Sequence, residues 1–180
     1  MCNRSRLLFV AAFLAGPITA FGAPRELRLT LEPGAAGLSL PQENRTWGWV
    51  GGASVGVGLT AQTWVMVYAG RAGFPGHDLT LTGTTAAVTL VYHLDVLDIS
   101  PYLGIGLAWS AITTADGTVI QRETLATLEA GFDIAMPGVG DWLLWGVIVR
   151  YYPLFDSDLL GHPAYATVHG RIGVVFSDFN

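Results

Sequence analysis

The chain has 180 residues; 51% are hydrophobic, only 13% are charged, and the formal net charge is −5. That length suits one domain, but the charge content falls well below the ~25% usual for a soluble one. An acidic balance with only nine Lys+Arg residues gives no footing for nucleic acid, which needs a basic patch. The single cysteine, Cys2, precedes an apolar stretch within a segment expected to be removed. A disulfide framework, a thiol nucleophile and a lipoprotein anchor are therefore all excluded.

Residues 1–22 read as a signal peptide and 23–180 as the exported domain. Arg4 and Arg6 form the positive start, and Leu7–Gly16 (LLFVAAFLAG) form an apolar core too short to span a bilayer. Ala20 and Gly22 supply the small residues of a cleavage site, so the mature chain should begin at Ala23 or Phe21. An uncleaved anchor is the alternative, and the short apolar core argues against it. Past residue 23 no run of about 18 uncharged apolar residues occurs, so a transmembrane helix is not expected. A chain this apolar must spread its hydrophobicity periodically, as a membrane barrel does.

The remainder divides into eight alternating stretches, at about 25–38, 47–60, 63–74, 79–94, 101–112, 122–136, 142–155 and 164–176. Most are near or above the ~9–11 residues a tilted strand needs to cross a bilayer. Ala61-Gln62, Asp95–Ser100 and Pro137–Asp141 make connectors on one side; Ser39–Thr46, Pro75–Asp78, Thr113–Gln121 and Asp156–Pro163 make mostly longer ones on the other. Short turns on one side and longer polar loops on the other are the bacterial barrel pattern. The expected fold is all-β: an eight-stranded antiparallel transmembrane β-barrel after a cleaved signal peptide.

Period-two alternation assigns the faces. In the last stretch Ala166, Val168, Ile172, Val174 and Phe176 oppose Thr167, His169 and Arg171; in the sixth, Leu128, Ala130, Phe132 and Ile134 oppose Glu129 and Asp133. In the seventh, Trp145, Val147, Val149 and Tyr151 oppose Arg150; in the first, Leu27, Leu29 and Leu31 oppose Arg28, Thr30 and Glu32. An arginine or lysine on the lipid face near the midplane costs about 2–4 kcal/mol, which accounts for the segregation. On the same logic Arg71 is placed inside with Val65 and Val67, opposite Trp64, Met66 and Tyr68. Outward aromatics then collect at two levels: Trp47, Trp49, Phe74, Trp109 and Tyr151 at one, Trp64, Tyr92, Trp145 and Phe176 at the other. Two such girdles are what aromatic partitioning to membrane interfaces predicts.

The stretch Tyr92–Leu107 (YHLDVLDISPYLGIGL) resembles the strand that follows an inner turn in the small outer-membrane β-barrel superfamily, which includes outer-membrane protein A transmembrane domains. The likeness covers the whole exported chain in layout, and this segment in letters. Near the C-terminus Gly173, Phe176 and Phe179 are similar to the terminal aromatic strand of that superfamily, while Asp178 and Asn180 depart from it. The resemblance implies the outer membrane of a Gram-negative cell. It also implies contact with its lipids and lipopolysaccharide, assembly by the barrel machinery, and a monomer.

An eight-stranded barrel is just wide enough inside for side chains to fill. The proposed lumen holds Arg28, Glu32, Arg71, Glu129, Asp133, Arg150, His169 and Arg171, with His93 nearby. Charges there need partners. The arrangement reads as a polar plug, and alternatively as a narrow gate for small solutes whose ion pairs exchange. A lipid A-modifying hydrolase would place a serine two residues from a histidine; none of His77, His93, His162 and His169 has one, and Ser54 and Ser110 are the main strand serines. His77-Asp78 and Asp156-Ser157-Asp158 read as solvated loop residues. No cofactor or metal is expected. A soluble lipocalin-like barrel would need the inverse polarity, apolar inside and polar outside.

Overall fold

The computed structural model describes residues 26–40, 43–75, 80–94, 99–136, 138, 142–153 and 164–177. The signal segment 1–22 lies outside them, as do the loop residues His77, Asp78, Asp156, Ser157, Asp158 and His162. Eight strands follow one another: β1 (Leu27–Leu40), β2 (Glu43–Gly58), β3 (Thr63–Phe74), β4 (Leu81–His93), β5 (Ile99–Thr114), β6 (Val119–Ala135), β7 (Leu143–Pro153) and β8 (Ala164–Phe176). Each pairs antiparallel with the next, and β1 returns to β8 to close the barrel. Closure removes every free edge, and in hydrocarbon it leaves no backbone N–H or C=O without a partner.

The faces follow the two-residue period. Along β4, β5 and β7 buried and exposed residues alternate, and the exposed set is apolar: Val88, Leu90, Leu103, Ile105, Leu107, Val149. The buried set carries the charges, with Glu32, Glu129, Asp133, Arg150 and Arg171 all inside. This is a soluble protein turned inside out, the arrangement that an apolar solvent selects.

Strand ends differ from the sequence reading in an instructive way. The sequence pattern makes Ser39–Thr46 and Thr113–Gln121 loops, yet β1 and β2 run on until only residues 41–42 separate them, and β5 and β6 until only 115–118 do. Both extensions begin at register irregularities, between Leu38 and Leu40 and between Ile112 and Thr113. A bulge bends and re-aims a hairpin while letting pairing continue. At the β5–β6 turn the Asp116 carboxylate accepts bonds from the Thr114 hydroxyl and the Thr118 amide, which hold it below the usual carboxylate range.

Strand β3 corrects the proposed faces. Trp64, Met66, Tyr68, Ala72 and Phe74 point inward and are buried, whereas Arg71 is exposed on the outer face with Ala69. Arg71 therefore leaves the lumen set, and Trp64 and Phe74 leave the aromatic girdles. Volume is the physical reason. Eight strands enclose a space that large side chains must fill, and β2 faces β3 with glycine where those rings lie: a Cβ on Gly52 would run into the Tyr68 ring. The remaining girdle residues, Trp47, Trp49, Tyr92, Trp109, Trp145, Tyr151 and Phe176, are exposed. Trp47, Trp49, Trp109 and Tyr151 lie toward the far end, and Tyr92, Trp145 and Phe176 toward the near end, where β1 starts and β8 finishes.

Candidate functional site: a charged lumen beneath an apolar cap

The interior has two layers. Toward the far end it is apolar: Leu38, Phe74, Leu81, Ile112, Leu125, Tyr152 and Tyr165 form one buried cluster. Tyr152 and Tyr165 stack with ring centroids 5.0 Å apart, and Phe74 meets Tyr165 edge-on at 6.1 Å. Below that cluster the first half of β1, the last halves of β6 and β8 and the far half of β7 bring charge together.

At the centre stands Arg150, whose side chain has 0% exposure. Its Nη1 donates to Glu32 Oε2 at 2.5 Å and its Nε to Glu129 Oε1 at 2.8 Å. The guanidinium also lies 3.9 Å from the centroid of the Tyr68 ring, an added electrostatic contact. The second pair follows from register, because Glu129 and Arg150 are direct cross-strand partners on one face. Glu32 is held from three further sides: Thr30 and Ser54 hydroxyls donate to its Oε1 at 2.9 and 2.8 Å, and Arg171 Nε stands 3.9 Å away. Such a carboxylate has most of its acceptor sites filled, as a buried anion must.

A second cluster lies closer to the near end. Asp133 Oδ2 accepts from Arg28 Nη1 at 3.2 Å, while its Oδ1 is 3.5 Å from Arg171 Nη1. Arg171 donates to the Tyr102 hydroxyl at 2.5 Å, and Arg28 packs over the Trp64 ring at 3.9 Å. Gly146 makes this cluster possible. It sits between Asp133 and Arg171 in the ladder, and a Cβ there would meet the Asp133 carboxylate and the Phe132 carbonyl. His169 donates from Nδ1 to the Glu32 carbonyl at 3.0 Å, a direction set by the oxygen, which can only accept. His93 Nε2 lies 3.4 Å from Arg28 Nη1.

Of the residues singled out for the lumen, the structure brings together Arg28, Glu32, Glu129, Asp133, Arg150, His169 and Arg171; Arg71 stands apart on the outer face. Sequence reasoning missed Thr30, Ser54, Tyr68 and Tyr102 as partners. Their parity was the available signal, since Thr30, Ser54 and Tyr102 each face inward on a strand that also carries or neighbours a charge. Ser54, a candidate nucleophile by sequence, donates to Glu32 and stands against the Thr30 hydroxyl, not a histidine. Among the described residues no group of three His, Cys, Asp or Glu side chains could hold a metal ion.

The geometry defines the class first: a closed eight-stranded antiparallel barrel, apolar outside and ion-paired inside, of the transmembrane kind. No protein-family model and no curated protein matches the chain. Solved structures do share its fold. Neisserial surface protein A superposes with a TM-score of 0.69 at 14% identity, covering 83% of this chain and 97% of that one. The outer membrane protein OprG of Pseudomonas aeruginosa gives 0.55 at 11% identity, covering 88% and 100%. Ail, the attachment invasion locus protein of Yersinia pestis, gives 0.54 at 12%, covering 84% and 99%. The fold is therefore that of the small outer-membrane β-barrels.

Proposed function

We propose that the protein is an integral outer-membrane barrel with a structural or surface-interaction role, its far-end loops turned outward and its lumen plugged rather than open. The observation that carries this reading is the interior itself. Three arginines and three carboxylates pair among themselves, and the Tyr152–Tyr165 stack lies above them in one buried apolar cluster with Phe74 and Leu38, which supports a closed passage. An apolar constriction of this kind excludes water and ions.

The test has two parts. Folded protein in detergent should migrate differently from boiled protein, because a closed sheet resists SDS. In a planar bilayer the refolded barrel should then give no stable conductance steps. Identical migration together with recovery in the soluble fraction would sink the membrane reading. One observation favours a gated channel as the second reading: Arg171 lies within reach of both Glu32 and Asp133, so partner exchange needs only a rotamer change. Discrete voltage-dependent openings, abolished by Arg171→Leu, would select it.

A further inference from the structure

The outer face of the barrel is almost free of charge. Among strand residues whose side chains are described, no Asp or Glu points outward, and the only outward cations are Arg71 and Arg122. The two are neighbours in the ladder. Arg71 pairs with Thr84, Thr84 with Ala111, and Ala111 with Arg122, so one row crosses β3, β4, β5 and β6. Three strand spacings separate them, roughly 14 Å. Each stands three residues from the far end of its strand, Arg71 before Phe74 and Arg122 after Val119.

That position matters energetically. An arginine facing lipid is costly at the midplane and nearly free of penalty near the interface. The two arginines stand near the far-end rim, where that cost is smallest. Among the described residues neither has an acidic partner, although every lumen arginine has one. Around them the surface is shallow, with Ala69, Gly73, Thr84 and Ala86 between the exposed indoles of Trp49 and Trp109. Arg122 lies 5.8 Å over the Trp109 ring. Toward the midplane the same strands present Val88, Leu90, Ile105 and Leu107.

We propose that this face of β3–β6 binds lipid A, the phosphorylated glycolipid of the outer leaflet. Arg71 and Arg122 each take one of its two phosphates, and the apolar band below takes its acyl chains. The proposal rests on the reading of the chain as an outer-membrane barrel with its far end outward. Charge complementarity names the occupant: two separated cations fit a disaccharide phosphorylated at both ends. A guanidinium also matches phosphate as a two-pronged donor.

The refolded chain, first shown to be heat-modifiable, is titrated with bisphosphorylated lipid A, with dephosphorylated lipid A and with cardiolipin, and retention is read by native mass spectrometry. Bisphosphorylated lipid A should bind tightest. Arg71→Gln with Arg122→Gln should weaken it about tenfold or more, since each change removes a charge-assisted hydrogen bond to phosphate. Arg71→Lys with Arg122→Lys, which keeps both charges should the first variant fold poorly, should bind in between. Equal binding of the double glutamine variant, or of the dephosphorylated lipid, overturns the site. Cardiolipin binding of equal strength and equal arginine dependence overturns lipid A as the occupant. Loss of heat-modifiable folding in the parent chain strikes instead at the outer-membrane reading, so the two failures are distinct.

Discussion

Replacing Arg150 with leucine is the sharpest probe of the lumen. The side chain has 0% exposure and holds Glu32 at 2.5 Å and Glu129 at 2.8 Å. Removing it leaves two buried carboxylates facing each other across the space it filled. Breaking a buried ion pair from one side costs about 3–5 kcal/mol, and Arg171, 3.9 Å from Glu32, takes up only part of the loss. With a urea slope of about 2 kcal/mol per M, the unfolding midpoint should fall by about 2 M. Val149→Ala on the adjacent, outward position is the control. It removes a lipid-facing group worth about 1 kcal/mol, a shift of roughly 0.5 M. The assay is urea titration of refolded barrel in lipid vesicles, read by tryptophan fluorescence. Arg150→Leu combined with Glu129→Gln should recover part of the loss, because it restores the balance of charge. If Val149→Ala shifts the midpoint more than Arg150→Leu, the energetic account of the lumen is wrong.

Two further expectations test the faces and the close approaches. In single-tryptophan variants carried in vesicles with brominated acyl chains, Trp109 and Trp145 should be quenched strongly and Trp64 hardly at all; equal quenching of Trp64 would turn β3 over. Gly146→Ala should destabilise the barrel by about 1–3 kcal/mol, the usual cost of overpacking, because its Cβ meets the Asp133 carboxylate and the Phe132 carbonyl. Gly170→Ala, with nothing within 4 Å of the added atom, should be near neutral, and no difference between the two glycine variants in a denaturant titration would count against the packing at Gly146.

Most of the barrel could be read from alternation alone, because lipid penalises charge so heavily that β1, β6, β7 and β8 sort their residues without ambiguity. Strand β3 does not sort, and one slip of parity explains the misplacement of Arg71, Val65, Val67, Trp64, Met66, Tyr68 and Phe74 at once, since a one-residue shift exchanges the faces. The rule that charge belongs inside, extended to Arg71, carries Trp64 and Phe74 outward with it. The rule weakens toward the rim, where Arg71 sits, while the need to fill the lumen does not. For Thr30 and Ser54 parity gives the inward face but not the partner, for a different reason. A carboxylate's second and third donors come from other strands, and only the closed register shows which ones reach it.

The layered interior has a consequence for how such a barrel enters a bilayer. In the proposed orientation the far end is translocated, while the near end stays behind. A sheet inserted before β1 meets β8 would open the inward side chains of each hairpin to lipid. The leading half then presents Leu38, Phe74, Leu81, Ile112 and Leu125, which hydrocarbon tolerates. Arg28, Asp133 and Arg171 trail near the starting leaflet and are not dragged across the midplane. Those three charges thus lie where translocation work is smallest.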